Sequence, residues 1–164
     1  GIDSFKIEGR MKTALYVATV ARTYRKAIDD YMESEEKYRA NMEYYKRELA
    51  KCTYRQFTTG FYFGKTDSES QIYDSNTYVK NYTYIGTVRE VTPDGCVCFE
   101  QKNKFLVGEK LEAMGFDGTN IECEVQAIYD EKENSMDSAP HPKQKLRVKL
   151  DKELETGIIL RRKE

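Results

Sequence analysis

Along the first fifty residues apolar and aromatic positions recur at intervals of three and four. Val17, Val20, Ala21, Tyr24, Ala27, Ile28 and Tyr31 fall on one face of a helix over Thr13 to Tyr31. Lys12, Arg22, Arg25, Lys26, Asp29 and Asp30 fall largely on the other. The run Glu33–Lys37 breaks the stripe and reads as a solvated connection. A second, shorter helix is expected from Asn41, a plausible cap, to Ala50, with Met42, Tyr45 and Leu49 inward. One apolar stripe on each of two helices does not enclose a core, so both are expected to pack on a sheet supplied from elsewhere.

After Arg55 the period changes to two. The Gly-punctuated segment Phe57–Gly64 is followed by a polar stretch from Lys65 to Ser75 that reads as a loop. Strands are then expected at Tyr82–Val91, Cys96–Gln101, Lys110–Ala113, Ile121–Asp130, Lys145–Leu150 and Ile158–Arg161. Turn signals separate them: Pro93-Asp94-Gly95, Gly115-Phe116-Asp117-Gly118 and Ser138-Ala139-Pro140-His141-Pro142. Six short strands with frequent turns favour a small, closed or nearly closed antiparallel barrel over a flat sheet with long exposed edges. The predicted class is therefore α+β, with a helical segment over residues 1–55 and a β-barrel over 56–164.

Before the first helix, Ser4-Phe5-Lys6-Ile7-Glu8 alternates like a strand and ends in the turn Gly9-Arg10-Met11. A strand this short needs a neighbouring sheet for its backbone groups. The expectation is that the chain opens on the last strand of a larger upstream domain.

Composition narrows the options without settling them. The chain has 164 residues, 34% charged and 12% aromatic, with 13 Tyr and no Trp, so Tyr and Phe are expected to share the core with Val, Ile and Leu. The net charge of -1 gives no global field for a polyanion, so a nucleic-acid partner requires a local patch. No apolar run approaches the roughly 20 residues that span a bilayer, and no membrane partner is expected.

The candidate patch is the strand around Lys145–Leu150. Leu146, Val148 and Leu150 alternate with Lys143, Lys145, Arg147 and Lys149, placing cations about 7 Å apart on one face, near the spacing of phosphates along a nucleic-acid strand. Arg161 and Arg162 add more positive charge close to the end of the chain. Asp151, Glu153 and Glu155 could equally make this an ordinary solvated face. Aromatics crowd the stretch from Phe57 to Tyr84, including Phe61, Tyr62, Phe63, Tyr73, Tyr78 and Tyr82. They could stack on exposed bases or fill the core.

Catalytic and metal patterns are missing. Cys96 and Cys98 form an i,i+2 pair, but Cys52 and Cys123 stand far away and there is no CxxC, so no metal site is expected. The single His141, between two prolines, has no nucleophile in a matching context. No phosphate-loop glycine motif occurs.

Five motifs in order resemble peptidase family U32, the collagenase-like proteases that include bacterial tRNA uridine-hydroxylation proteins. They are Ile2–Lys12, Tyr16–Arg25, Thr58–Gly64, Glu100–Phe105 and Ala139–Pro142, and together they extend over nearly the whole chain. The resemblance implies an upstream TIM-like barrel whose own cysteines hold an iron–sulfur cluster. No cofactor falls to this stretch. It also implies that Glu8 and Arg10, at the exit of the last barrel strand, border that barrel's active site. Ile85-Gly86-Thr87-Val88 and Phe105–Leu111 further resemble the second domain of translation factors. Two functions stay open: a non-catalytic domain that presents tRNA, in the cytoplasm, for hydroxylation of a wobble uridine, with Lys143, Lys145, Arg147, Lys149, Arg161 and Arg162 on the RNA; or the protein-substrate domain of a collagenase-like protease. A structural lid on the upstream barrel is a third.

Overall fold

A computed structural model describes residues 3–52, 60–65 and 81–164. The expected loop over Lys65–Ser75, Phe57, Tyr73 and Tyr78 lie wholly or mostly outside the described residues. Among the described residues three helices, α1 (Ala14–Glu33), α2 (Glu35–Ala40) and α3 (Met42–Leu49), precede ten strands. Thr13 caps α1 by accepting from the Tyr16 amide, and Ser34 caps α2 by accepting from Lys37. The expected solvated connection at Glu33–Lys37 is thus a single residue, Ser34, with a new helix started on its hydroxyl. Asn41 does not cap α3 with its side chain, which donates instead to Asp30 on α1 at 3.0 Å.

The strands are β1 (Tyr82–Thr87), β2 (Glu90–Val91), β3 (Val97–Glu100), β4 (Phe105–Leu106), β5 (Lys110–Met114), β6 (Asn120–Tyr129), β7 (Ser135–Met136), β8 (Ser138–Ala139), β9 (Lys145–Leu150) and β10 (Ile159–Lys163). The antiparallel order β1-β10-β5-β6-β9-β3-β2 follows a sheet that curls back on itself. The expected strand Tyr82–Val91 breaks at Val88 and Arg89, so that β1 pairs with β10 while β2 pairs with β3. The curl brings β1 against β3, and the Lys102 amide donates to Ile85 O across the seam at 2.8 Å. Gly86 permits this approach, because a Cβ there would run into the Phe99 ring.

Inward-facing positions of every long strand fill the barrel: Ile85, Val97, Phe99, Leu111, Val125, Ile128, Leu146, Val148 and Leu160 among others. Each such side chain contributes about 1.5–3 kcal/mol by leaving water. Phe99 and Phe105 stack at 5.9 Å, and no Tyr joins this cluster among the described residues. The described tyrosines stay outside this cluster, and Tyr45, buried among the helices, donates its hydroxyl to Asp30 at 2.6 Å.

The helices pack on the barrel through the face opposite to the one the sequence suggests. Val17, Tyr24 and Tyr31 are 41%, 42% and 55% exposed, whereas Leu15, Thr19, Thr23 and Asp30 are buried. On α3, Tyr45 turns inward as expected, but Glu48 rather than Leu49 is the second buried residue. Leu15 joins Met114 and Ile159, and polar bonds complete the contact. Arg22 donates to the carbonyls of Gly115 and Thr119, both at 3.0 Å, and to Glu48 Oε2 at 2.7 Å. A polar helix face can be buried here because its groups find partners on the β5–β6 hairpin.

Residues 3–9 form no strand. No strand pairs with them among the described residues, so their backbone lacks the ladder a strand requires. Phe5 lies against Tyr24 with ring centroids 6.4 Å apart.

Candidate nucleic-acid interface

β9 alternates as its sequence implies, with Leu146, Val148 and Leu150 in the core and Lys145, Arg147 and Lys149 outside. Pairing with β3 sets Glu100 opposite Lys145 and Cys98 opposite Arg147. The three cations differ sharply in freedom. Arg147 is tied to Asp94 at 3.0 Å and to Glu133, and lies 4.5 Å from the centre of the Tyr129 ring. Lys149 donates to Asp94 O at 2.6 Å. Arg147 and Lys149 therefore hold the β2–β3 turn, and Arg147 reaches the β6–β7 turn as well. Lys145 is 73% exposed and has only a loose contact, 3.6 Å, with Glu131.

Asp94 is stabilised as an anion. Hydrogen bonds from the Thr92 hydroxyl and then the Cys96 thiol hold its carboxyl at about 2, with the Arg147 charge beside it.

Arg161 is not a surface cation. It is fully buried between α1, α3 and the barrel, with Nε 2.7 Å from Glu112 Oε1, Nη2 2.9 Å from Glu48 Oε2, and Tyr82 beneath it. Its outward neighbour Arg162 donates to Lys104 O at 2.9 Å and approaches Glu109 at 3.3 Å. β10 and β9 are not neighbours, since β5 and β6 lie between them in the sheet.

Two motifs distant in sequence meet next to Lys145. Buried Gln101 donates through Nε2 to Ala139 O, its amide donates to Gln144 O at 2.8 Å, and its carbonyl accepts from Lys143 N at 2.8 Å. Phe105 pairs with Ala139 in the β4–β8 ribbon. Asn103 Nδ2 donates to Tyr84 O at 2.8 Å and joins β1 to the same junction. The junction presents Lys102 and Lys143 side by side near Glu100, with Lys143 in a left-handed turn at φ 68. Hydrogen bonding to Lys102, more than the charges of Lys143 and Arg89, draws the Glu100 carboxyl below its ordinary value.

The resulting cluster is Arg89, Lys102, Lys143 and Lys145. Arg89 and Lys102 escape a strand-by-strand reading because only the β3–β9 pairing and the seam bring them to Lys145. Lys102, between Gln101 and Asn103, was the one available signal.

The remaining candidates lie elsewhere. Glu8 and Arg10 are exposed ahead of α1, with Glu8 Oε1 accepting from the Arg10 amide at 3.3 Å. Phe61, Tyr62 and Phe63 are exposed, and the last two meet edge to face at 5.0 Å. The four cysteines are unpaired, and among the described residues no group of Cys, His, Asp and Glu could hold a metal ion. Burial pushes all four thiols above their ordinary value, Cys123 to about 12, the opposite of what cluster ligation needs. These residues do not fit an iron–sulfur cluster.

The description "Peptidase family U32" matches residues 1–72, and "Peptidase family U32 C-terminal domain" matches residues 80–161. The chain belongs to peptidase family U32. This U32 chain is 37% identical to "tRNA hydroxylation protein P1" of Bacillus subtilis strain 168 over 99% of its own length and 38% of that protein's. It is 31% identical to "tRNA hydroxylation protein P" of Escherichia coli strain K12, over 98% of this chain and 34% of that one. The chain thus spans little more than a third of these relatives. Among solved structures, the C-terminal domain of a Geobacillus thermoleovorans protein assigned to the U32 peptidases is 28% identical, covering 49% of this chain and 99% of that one with a TM-score of 0.45. No helix among the described residues is long and apolar enough to cross a membrane.

Proposed function

We propose that this chain is the tRNA-contacting, non-catalytic part of a U32 tRNA hydroxylation protein acting in the cytoplasm, and that it presents a wobble uridine to a catalytic barrel in the rest of that protein. The observation that carries the reading is the outward cluster of Arg89, Lys102, Lys143 and Lys145 on a chain whose net charge is -1. Similarity to tRNA hydroxylation proteins along both the helices and the barrel supports it. Arg162 is half-buried and paired, and Arg161 is buried, so neither belongs to the contact set. Arg147 and Lys149 shape the turns on which the set rests. The likeness of Ile85–Val88 and Phe105–Leu111 to a translation-factor domain agrees with a role beside RNA.

The exposed apolar stripe of α1 suits the catalytic barrel as its partner, with Glu8 and Arg10 carried toward that barrel's mouth. An iron–sulfur cluster, where the protein has one, would belong to that other part. Fluorescence anisotropy with labelled tRNA and, separately, gelatin peptides at several salt concentrations tests the reading. Micromolar tRNA binding that weakens steeply with salt, with none to gelatin, is the expected result. Binding to gelatin alone would replace it with the protein-substrate domain of a collagenase-like protease.

A further inference from the structure

The seam where β1 closes on β3 opens outward into a cleft of about 390 Å³, lined by Tyr84, Thr87, Arg89, Glu90, Cys98, Phe99, Glu100, Lys102, Lys145 and Leu146. That volume is within the range of sites for small molecules. Its charges are mixed. Lys102 is paired with Glu100 at 2.5 Å, Arg89 acts on the same carboxylate through its charge, and Glu90, adjacent to Arg89 and of opposite sign, lines the cleft beside it. Lys145 can swing in at little cost, its contact with Glu131 being long and solvated.

A bare polyanion would meet Glu90 and Glu100 as well as the cations, and two carboxylates in the wall oppose it. A ligand that carries anionic oxygens at one end and hydroxyl or amide donors at the other satisfies both signs. A ribonucleotide within an RNA strand has that chemistry: phosphate oxygens for Arg89 and Lys145, and a 2′-hydroxyl or base N–H for Glu90. We infer that the β1–β3 cleft seats a single ribonucleotide of a looped or single-stranded RNA, with Arg89 and Lys145 on its phosphate and Glu90 accepting from its sugar or base. This rests on the reading that tRNA is the partner. It adds a defined seat and a preference for ribose over deoxyribose, since the 2′-hydroxyl is the donor that DNA lacks.

Amide chemical shifts of the isotope-labelled chain, followed during titration with tRNA, a short oligouridylate and the corresponding deoxy-oligonucleotide, test the seat. Shifts at Arg89, Cys98, Lys102 and Lys145 that saturate with oligouridylate and are weaker with the deoxy strand are expected. Arg89→Ala combined with Lys145→Ala should weaken oligouridylate binding by about tenfold and lower the salt slope by about 0.7, the value for one phosphate of a single strand. Glu90→Gln should narrow the ribose preference while an unchanged spectrum elsewhere shows that the fold is kept. Should tRNA bind while these amides stay still and the double variant binds normally, the cleft is not the seat, although the tRNA reading stands. Cleft shifts with oligouridylate but no tRNA binding would uphold the seat and remove tRNA as partner. No shifts with either nucleic acid would overturn both.

Discussion

Replacing Arg161 by Met should unfold the joint between helices and barrel without touching an RNA surface. The guanidinium is wholly buried and bonds Glu112 at 2.7 Å, Glu48 at 2.9 Å, and Thr19 and Asn120 each at 3.4 Å. Truncating one partner of a buried ion pair usually costs about 3–5 kcal/mol, chiefly because the other charge is left unpaired. Here the carboxylates keep other partners: Glu48 retains Arg22 and Lys51, each at 2.7 Å, and Glu112 retains Lys51 at 3.0 Å. The loss therefore belongs at the lower end, about 3 kcal/mol, which lowers Tm by roughly 6–12 °C in a chain of this size. Glu48→Gln should cost more, about 4–5 kcal/mol, because Arg22 would be left with neutral partners only and Arg161 with Glu112 as its one carboxylate. The double variant should lose less than the two single losses added together, since both remove one interaction. Urea denaturation followed by circular dichroism measures all three. An Arg161→Met protein with an unchanged midpoint but weakened tRNA binding would refute the reasoning and return Arg161 to the surface.

Gly86→Ala should open the barrel seam, because the added methyl meets the Phe99 ring and lies 3.2 Å from Glu100 O; a loss of about 1–3 kcal/mol and faster exchange of the Lys102 amide are expected. Acid should loosen the helical block. Burial alone would raise the Glu48 carboxyl, but hydrogen bonds from Lys51 and Arg161 outweigh it and hold it below its ordinary 4.5; burial likewise opposes, and Lys26, Tyr45 and Asn41 overcome, in drawing Asp30 well below 3.8. Both folded values are depressed, so their contribution is present above pH 4.5 and is lost as pH falls through that region and beyond. Urea midpoints that are flat from pH 7 to 3 would contradict this. Replacing Phe61, Tyr62 and Phe63 together by Ala should leave the barrel's stability within about 0.5 kcal/mol, as exposed positions do. A larger loss in thermal unfolding would show that these rings pack against the barrel.

What was legible in the sequence follows from which forces act locally. The alternation of Leu146, Val148 and Leu150 located β9 and its inward face, because a strand half covered by a core has to alternate. α1 was legible as a helix but not in its orientation. Its apolar stripe suggested burial, yet the structure buries Thr19 against Met114 and Arg161 of the barrel, Asp30 against Tyr45 of α3, and Thr23, which donates to Thr19 O within α1. Periodicity counts apolar side chains and cannot see that Arg22 will find two carbonyls on the β5–β6 hairpin some 95 residues away. The basic set failed for the same reason. Lys145 does face outward, but Arg161, counted with it as one more cation near the end of the chain, is buried, and Arg89 arrives only through barrel closure.

Docking α1 by its polar face has a physical consequence. An apolar joint tolerates rotation and sliding, since one methyl contact substitutes for another. A joint made of Arg22, Glu48, Asn120, Glu112 and Arg161 does not, because any other alignment strands a buried charge. Strong orientation at little net stability is what such a network provides. It leaves the stripe at Val17, Tyr24 and Tyr31 partly exposed toward a second partner, whose position would then be fixed relative to the barrel. For a domain proposed to hold tRNA against a separate catalytic barrel, that orientation matters more than the strength of the joint. A hydrophobic replacement such as Glu48→Leu with Arg161→Met and Arg22→Leu is thus expected to keep or raise stability while broadening the distribution of distances between spin labels on α1 and β9. A distribution as narrow as that of the native chain would mean that shape alone, not the buried charges, sets the alignment.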